Sequence, residues 1–295
     1  MEISRDVLGA LCALGSALTW ALIGLFVRAL APHLGSVALN VARCALGSAM
    51  LLAWVLATSG PGAIAAIPLR VALILTASVI VSSALGDTLF FESTKGLGLA
   101  RAMTISTTYP LMSAGLAALF LGEAVATPVL LGSVVTLVGI ALIVTARGDV
   151  GSSPAHFRLG LAAALLAALS WAGSAIILKG PLEQVDPVVA QVWRLPVVAA
   201  ALLATPWGWS SVGQLRRHGR PLGGRLLVVG ALTVGSSVFF MAGLKYTSVA
   251  IATVLSSCAP LFALPLGRVF LGEPVTWRAL AGSAITVLGI ALLGL

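Results

Sequence analysis

Leu131-Gly132-Ser133-Val134-Val135-Thr136-Leu137-Val138-Gly139-Ile140-Ala141-Leu142 and Ala281-Gly282-Ser283-Ala284-Ile285-Thr286-Val287-Leu288-Gly289-Ile290-Ala291-Leu292 are one pattern written twice, 150 residues apart. Seven of the twelve positions are identical, among them both glycines and the threonine. Working outward at the same spacing, Leu121-Gly122-Glu123 pairs with Leu271-Gly272-Glu273, Pro110 with Pro260 and Lys95 with Lys245. Nearer the N-terminus the spacing is 151. There Leu18-Thr19-Trp20-Ala21 pairs with Leu169-Ser170-Trp171-Ala172, and Asn40-Val41-Ala42-Arg43 with Gln191-Val192-Trp193-Arg194. One residue gained or lost between the second and third helices of a copy accounts for the change.

The unit that repeats is membrane-like. Of 295 residues, 59 % are hydrophobic and 9 % charged, against about 25 % charged in a soluble domain. The apolar residues fall in blocks of about 20, the length a helix needs to cross roughly 30 Å of hydrocarbon. Ten blocks can be drawn: 7–30, 36–57, 70–91, 102–121 and 128–145, then 159–178, 188–205, 225–244, 250–271 and 275–293. Gly60-Pro61-Gly62, the stretch 148–154, Gly180-Pro181 and the basic segment 216–225 punctuate them. The first block is too long for a signal-peptide core and reads as a retained span. The chain therefore divides into a first repeat (1–147), a linker (148–157) and a second repeat (158–295). Five crossings per repeat is an odd number, so the second copy enters the bilayer upside down. The expected fold is an all-α integral membrane protein of ten transmembrane helices in two inverted five-helix repeats.

Several function classes drop out. The net charge of +8 comes from basic residues at block ends, where they meet lipid headgroups; no nucleic-acid partner is implied. Cys12, Cys44 and Cys258 all lie inside apolar blocks, with no CxxC spacing, so neither a disulfide framework nor a metal site is expected. There is no phosphate-binding GxxxxGK[ST] loop and no HExxH, and His33, His156 and His218 fall in loops. No cofactor is expected, and an enzyme is poorly supported.

Trp in the first helix of each repeat, Arg in the second, Pro within the fourth, the Leu-Gly-Glu turn and Gly-Ile-Ala-Leu in the fifth together carry a family resemblance. The chain resembles the EamA-type branch of the drug/metabolite transporter superfamily over essentially its whole length, and within it bacterial amino-acid exporters of the aromatic-amino-acid efflux kind. The resemblance implies ten helices around a central cavity, with helices 5 and 10 peripheral. It also implies a bacterial inner-membrane location with both termini cytoplasmic. The basic residues near helix ends favour the opposite sense: with the termini inside, four lie in the cytoplasm and eleven outside. The implied activity is export of small metabolites, most readily amino acids, by alternating access. A sugar-phosphate or nucleotide-sugar antiporter and a multidrug exporter are the alternatives, the first kept open by the pairs Lys95/Lys245 and Arg43/Arg194.

The candidate substrate residues follow from polarity at membrane depth. Trp20 and Trp171 sit mid-span at equivalent positions; each indole N–H either bonds a packed neighbour or faces a substrate. Thr19 and Ser170 precede them. The other tryptophans (54, 193, 207, 209 and 277) lie near block ends and read as interfacial. Pro110 and Pro260 withdraw a helical bond from the carbonyls of Ser106 and Ser256. Their flanks are polar: Thr104, Thr107, Thr108 and Tyr109 in one copy, Thr253, Ser257 and Cys258 in the other. Helices broken at matching places in two repeats point to a transporter site. Arg43 and Arg194 either snorkel or hold a substrate carboxylate. Asp87, with Lys95 or Arg43 as its basic partner, is a coupling or gating candidate, and its repeat mate is Ser237. Glu123 and Glu273 read as caps of the helices that follow them. The small-residue stripes Gly132/Thr136/Gly139 and Gly282/Thr286/Gly289 suit scaffold or homodimer contacts.

Overall fold

A computed structural model describes residues 4–30, 32–124, 126–145, 154–271 and 275–292. All regular structure among them is helical. The first repeat holds α1 (Arg5–Leu30), α2 (Ser36–Thr58), the single turn α3 (Gly62–Ala65), α4 (Leu69–Val79), a π turn (Ile80–Gly86), α5 (Asp87–Ser106), α6 (Tyr109–Phe120) and α7 (Thr127–Thr145). The second holds α8 (Pro154–Gln184), α9 (Pro187–Leu203), α10 (Pro206–His218), α11 (Gly223–Tyr246), α12 (Val249–Ser256), α13 (Ala259–Leu271) and α14 (Trp277–Ala291).

The surface is apolar, as lipid requires, and polar and charged side chains are held inside a mostly apolar interior. Leu119 and Val269 are 74 % and 75 % exposed, whereas Arg43, Asp87 and Arg194 are 3 %, 7 % and 4 % exposed. Six helical stretches are long and apolar enough to cross a membrane: Arg5–Val27, Ser36–Thr58, Leu69–Ser93, Phe157–Gln184, Gly223–Tyr246 and Val249–Phe270. The pair α9–α10, bent by 98°, makes a seventh if taken as one span, and three shorter apolar helices follow the breaks and turns. The expected ten full-length spans are thus not reached by helix length alone.

Two boundaries also differ from the sequence reading. The third and fourth helices of the first repeat run on without a gap through α5. Their counterparts α11 and α12 are separated at Thr247-Ser248, where the Ser248 hydroxyl caps Ile251 N at 3.3 Å. The first-repeat mate of Ser248 is Gly98, which has no oxygen to cap with. Gly180-Pro181 does not end α8, which continues to Gln184. Pro181 removes one helical bond, but the fully buried Leu178 and Leu182 pin the helix on both sides of it.

The repeats pack antiparallel and interlock. The start of α1 meets the end of α11: a Cβ on Gly9 would lie 2.9 Å from Thr247 N. The end of α8 reaches the same level, where Lys179 Nζ donates to Thr247 O at 2.7 Å. α1, the first helix of one repeat, and α8, its mate, therefore run in opposite directions. α1 packs on α11, and α8 packs on α5. At the two-fold axis α7 crosses α14 so closely that a Cβ on Gly139 would overlap Thr286 Oγ1, and one on Gly289 would overlap Thr136 Oγ1. The small-residue stripes thus join the two halves of one chain.

The one-residue shift in repeat spacing lies inside a helix, not in the connection after the second. Buried Leu75, Ser78 and Val79 of α4 match buried Leu226, Val229 and Gly230 of α11 at a spacing of 151. Beyond the π turn, Gly86 and Phe91 match Ser236 and Met241 at 150. A π turn is an α-helix with one residue inserted, and it occurs in the first repeat while α11 stays α-helical throughout.

Candidate functional site

A cavity of about 180 Å³ lies between the repeats and is lined from both. The π turn organises its centre. Widening the helix diverts carbonyls from their helical partners, and side chains collect them. Ser78 O accepts from Ser174 Oγ at 2.9 Å and Ser83 O from Asn40 Nδ2 at 2.9 Å. Asp87 follows at once. A Cβ on Gly86 would lie 2.9 Å from Trp171 Cδ1 and Nε1, so glycine there lets the indole lie against the helix. Trp171 Nε1 donates to Asp87 Oδ1 at 2.9 Å, and Arg43 Nη2 donates to Asp87 Oδ2 in a buried ion pair. Arg43 is held further by Asn40 Oδ1, 2.9 Å from its Nε, and by the rings of Trp20 and Phe91, whose centroids lie 5.6 and 5.9 Å from the guanidinium carbon.

The second-repeat arginine repeats half of this. Arg194 Nη1 donates to Gln191 Oε1 at 3.0 Å, as Arg43 does to Asn40, and touches Met241 Sδ at 3.4 Å; Nη2 donates to Ser82 Oγ at 3.2 Å. Its Nε has no partner. One wall is aromatic: Phe90 and Tyr109 pack on Trp171 at 5.4 and 5.8 Å between centroids, and Tyr109 OH donates to Thr253 O of the other repeat at 3.0 Å.

The helix breaks border the same space and are symmetric. α5 ends at Ser106 and α12 at Ser256. Thr108 N and Cys258 N close matching turns on Ile105 O and Leu255 O, both at 3.1 Å. Pro110 and Pro260 then fall in the first turn of the next helix, where no N–H is needed. Ser256 Oγ is buried without a partner.

Of the residues singled out by sequence, Trp20, Trp171, Arg43, Arg194, Asp87, Thr107, Tyr109, Ser256, Ser257 and Pro260 line the cavity. Thr19, Ser170, Thr108 and Pro110 do not. The three hydroxyls bond back to their own helices, at Gly15 and Ser16 O, Leu166 O and Ile105 O respectively, and Pro110 is buried in the first turn of α6. Trp193, expected at the interface, packs against the core, and its Nε1 donates to Thr76 Oγ1 at 3.0 Å. Arg43 and Arg194 do not snorkel. Asp87 pairs with Arg43; the side chains of Lys95 and Thr104 lie outside the described residues. Sequence reasoning passed over Asn40, Gln191, Ser82 and Gly86. The amide three residues before arginine in both repeats was a visible sign, since such pairs share a helix face.

Away from the cavity, Lys179 Nζ also donates to Leu244 O at 2.9 Å and lies 3.7 Å from Glu123 Oε1. Glu123 Oε2 in turn accepts from Val249 N at 3.1 Å. Glu123 thus caps α12 of the opposite repeat, not α7 after it, because the inverted packing brings α12 closer to that oxygen. Glu273 lies outside the described residues. Lys245 Nζ bonds Val185 O at 3.2 Å and takes no part in the cavity.

A helical membrane bundle built twice in opposite senses, with broken helices at a shared polar cavity, is the architecture of a secondary transporter. The chain belongs to the EamA-like transporter family, whose model matches residues 7–145 and 158–295. It is 27 % identical over 287 residues to an uncharacterized transporter of Archaeoglobus fulgidus, covering 97 % of this chain and 98 % of that one. It is 30 % identical over 134 residues to a probable terminal-alkyne amino-acid exporter of Streptantibioticus cattleyicolor, covering 44 % and 43 %. A solved crystal structure matches with a TM-score of 0.77 over 96 % of this chain and 94 % of its own, at 19 % identity, which carries the fold alone.

Proposed function

We propose that the chain exports amino acids, aromatic ones included, by alternating access. The two inverted repeats cross the membrane ten times in all and rock about the cavity. Both termini then share one side, the cytoplasmic side by family resemblance, in a bacterial inner membrane.

The observation that carries this reading is the cavity's composition: an aromatic wall of Trp171, Tyr109 and Phe90 facing a buried guanidinium. Such a site takes a small molecule with one apolar and one anionic end. Its volume falls below the roughly 300–1,000 Å³ of drug-sized pockets. A sugar phosphate needs several converging cations. Lys245 is elsewhere and Arg43 is already paired, which weighs against that alternative.

Purified protein in liposomes is expected to catalyse counterflow of labelled amino acids, aromatic ones foremost, with and without a pH gradient. Failure to move any of the twenty refutes the substrate assignment.

A further inference from the structure

We propose that Arg194 holds the substrate's carboxylate, and that this carboxylate occupies the place left by Asp87's missing mate, between Arg194 and the Trp20 indole. This rests on the transport reading above and names the chemical group that the cavity selects.

The two-fold relation defines the place. In the first repeat, Asp87 bridges Arg43 of its own repeat and the Trp171 N–H of the other. The mates of these residues are Ser237, Arg194 and Trp20, and all three line the cavity. The packing follows the same correspondence. Arg43 lies over Phe91, one turn after Asp87; Arg194 touches Met241, the mate of Phe91, one turn after Ser237. Each arginine also takes an amide three residues before it, Asn40 or Gln191. The acid alone lacks a counterpart. Ser237 Oγ instead bonds back to Thr233 O and Val234 O, at 2.7 and 3.1 Å.

Arg194 is correspondingly short of partners. A guanidinium has five N–H donors. Here three bonds are made, all to neutral groups, and Nε has none. Among the described residues no carboxylate pairs with it, and both oxygens of Asp87 are engaged elsewhere. A buried cation with only neutral partners is unfavourable. A planar carboxylate supplies the missing charge and suits the guanidinium fork. Of the charged lining residues, Arg43 and Asp87 pair with each other, so the guanidinium of Arg194 is the charge that a carboxylate meets.

The test uses three probes of similar shape: phenylalanine, phenylalaninamide and 3-phenylpropionate, in counterflow with purified full-length protein. The two carboxylates are expected to be carried and the amide refused. Arg194→Gln is expected to weaken apparent affinity for the carboxylates roughly ten-fold or more, with Arg194→Lys intermediate. Ser237→Asp builds the missing mate into the chain. It is expected to raise the midpoint of thermal unfolding in detergent and to abolish carboxylate counterflow, by filling the site from within.

Equal handling of acid and amide, unchanged affinity in Arg194→Gln, or a Ser237→Asp protein that is less stable and still carries the acids overturns the proposal. The two readings fail separately. If 3-phenylpropionate moves in an Arg194-dependent way and phenylalanine does not, amino-acid export falls and the carboxylate site stands. If phenylalanine moves regardless of residue 194, export stands and this assignment falls.

Discussion

Replacing Asp87 by Asn keeps the shape of the side chain and an acceptor for Trp171 but removes the charge facing Arg43. The pair is deeply buried, its side chains 4 % and 9 % exposed, so solvent does not screen the loss. Removing one partner of a buried pair costs about 3–5 kcal/mol. At about 2 °C per kcal/mol for a large chain, the unfolding midpoint should fall by roughly 6–10 °C. The companion substitution Arg43→Gln leaves the carboxylate unpaired and should cost a similar amount. The double variant Arg43→Gln/Asp87→Asn leaves two neutral amides in place of two ions, and removes the uncompensated charge that each single variant creates. Its loss should be smaller than the sum of the two by at least about 1 kcal/mol, within the range measured for contacting pairs. The assay is thermal unfolding of the four purified proteins in one detergent, followed by intrinsic tryptophan fluorescence and by circular dichroism. Losses that add to within about 0.5 kcal/mol, as for independent sites, would refute the claim that these two charges neutralise each other.

Three further outcomes follow from the geometry. Gly139→Ala puts a methyl into Thr286 and should cost about 1–3 kcal/mol by overpacking, whereas Gly115→Ala, with nothing within 4 Å, should cost nothing; parallel melting curves decide. Deleting Ala84 removes the residue that the π turn absorbs and gives a regular helix like α11, in which the register beyond the turn is kept, so Asp87 should stay opposite Arg43. The coupling between residues 43 and 87 should survive in the deletion protein, read by the same set of variants and melting curves, and its loss would contradict placing the extra residue in the turn. Lys179→Met releases the α11 end and Glu123, so the bundle should open more readily there. In protein with Cys12 and Cys258 replaced by Ala, alkylation of the cavity residue Cys44 should then speed up several-fold; an unchanged rate excludes that holding role for Lys179.

Inverted packing was legible because it follows from the expected count: an odd number of spans read in each of two matching copies leaves no other arrangement. Trp20, Trp171 and the paired prolines were legible because a polar or bond-breaking group at membrane depth has few tolerable surroundings. The roles of individual hydroxyls were not. Whether Thr19 or Ser170 faces the cavity or its own backbone is a choice of rotamer, made by neighbours far away in sequence. The π turn was visible only as a one-residue change of spacing, and a connecting loop absorbs an extra residue as readily as a helix does. Glu123 shows the same limit: its place before a helix suggested a local cap, but α12, more than a hundred residues later, holds the amide that it reaches.

The sequence by itself determined the membrane class, the two copies, their opposed directions and the depth at which polar side chains occur, since these depend on length, periodicity and the cost of polarity in lipid. The tertiary structure alone decided which arginine is neutralised. Arg43 and Arg194 occupy equivalent positions in the sequence; only the packing of α5 against α8 and α2 brings Asp87 and Trp171 to the first and leaves the second with neutral partners.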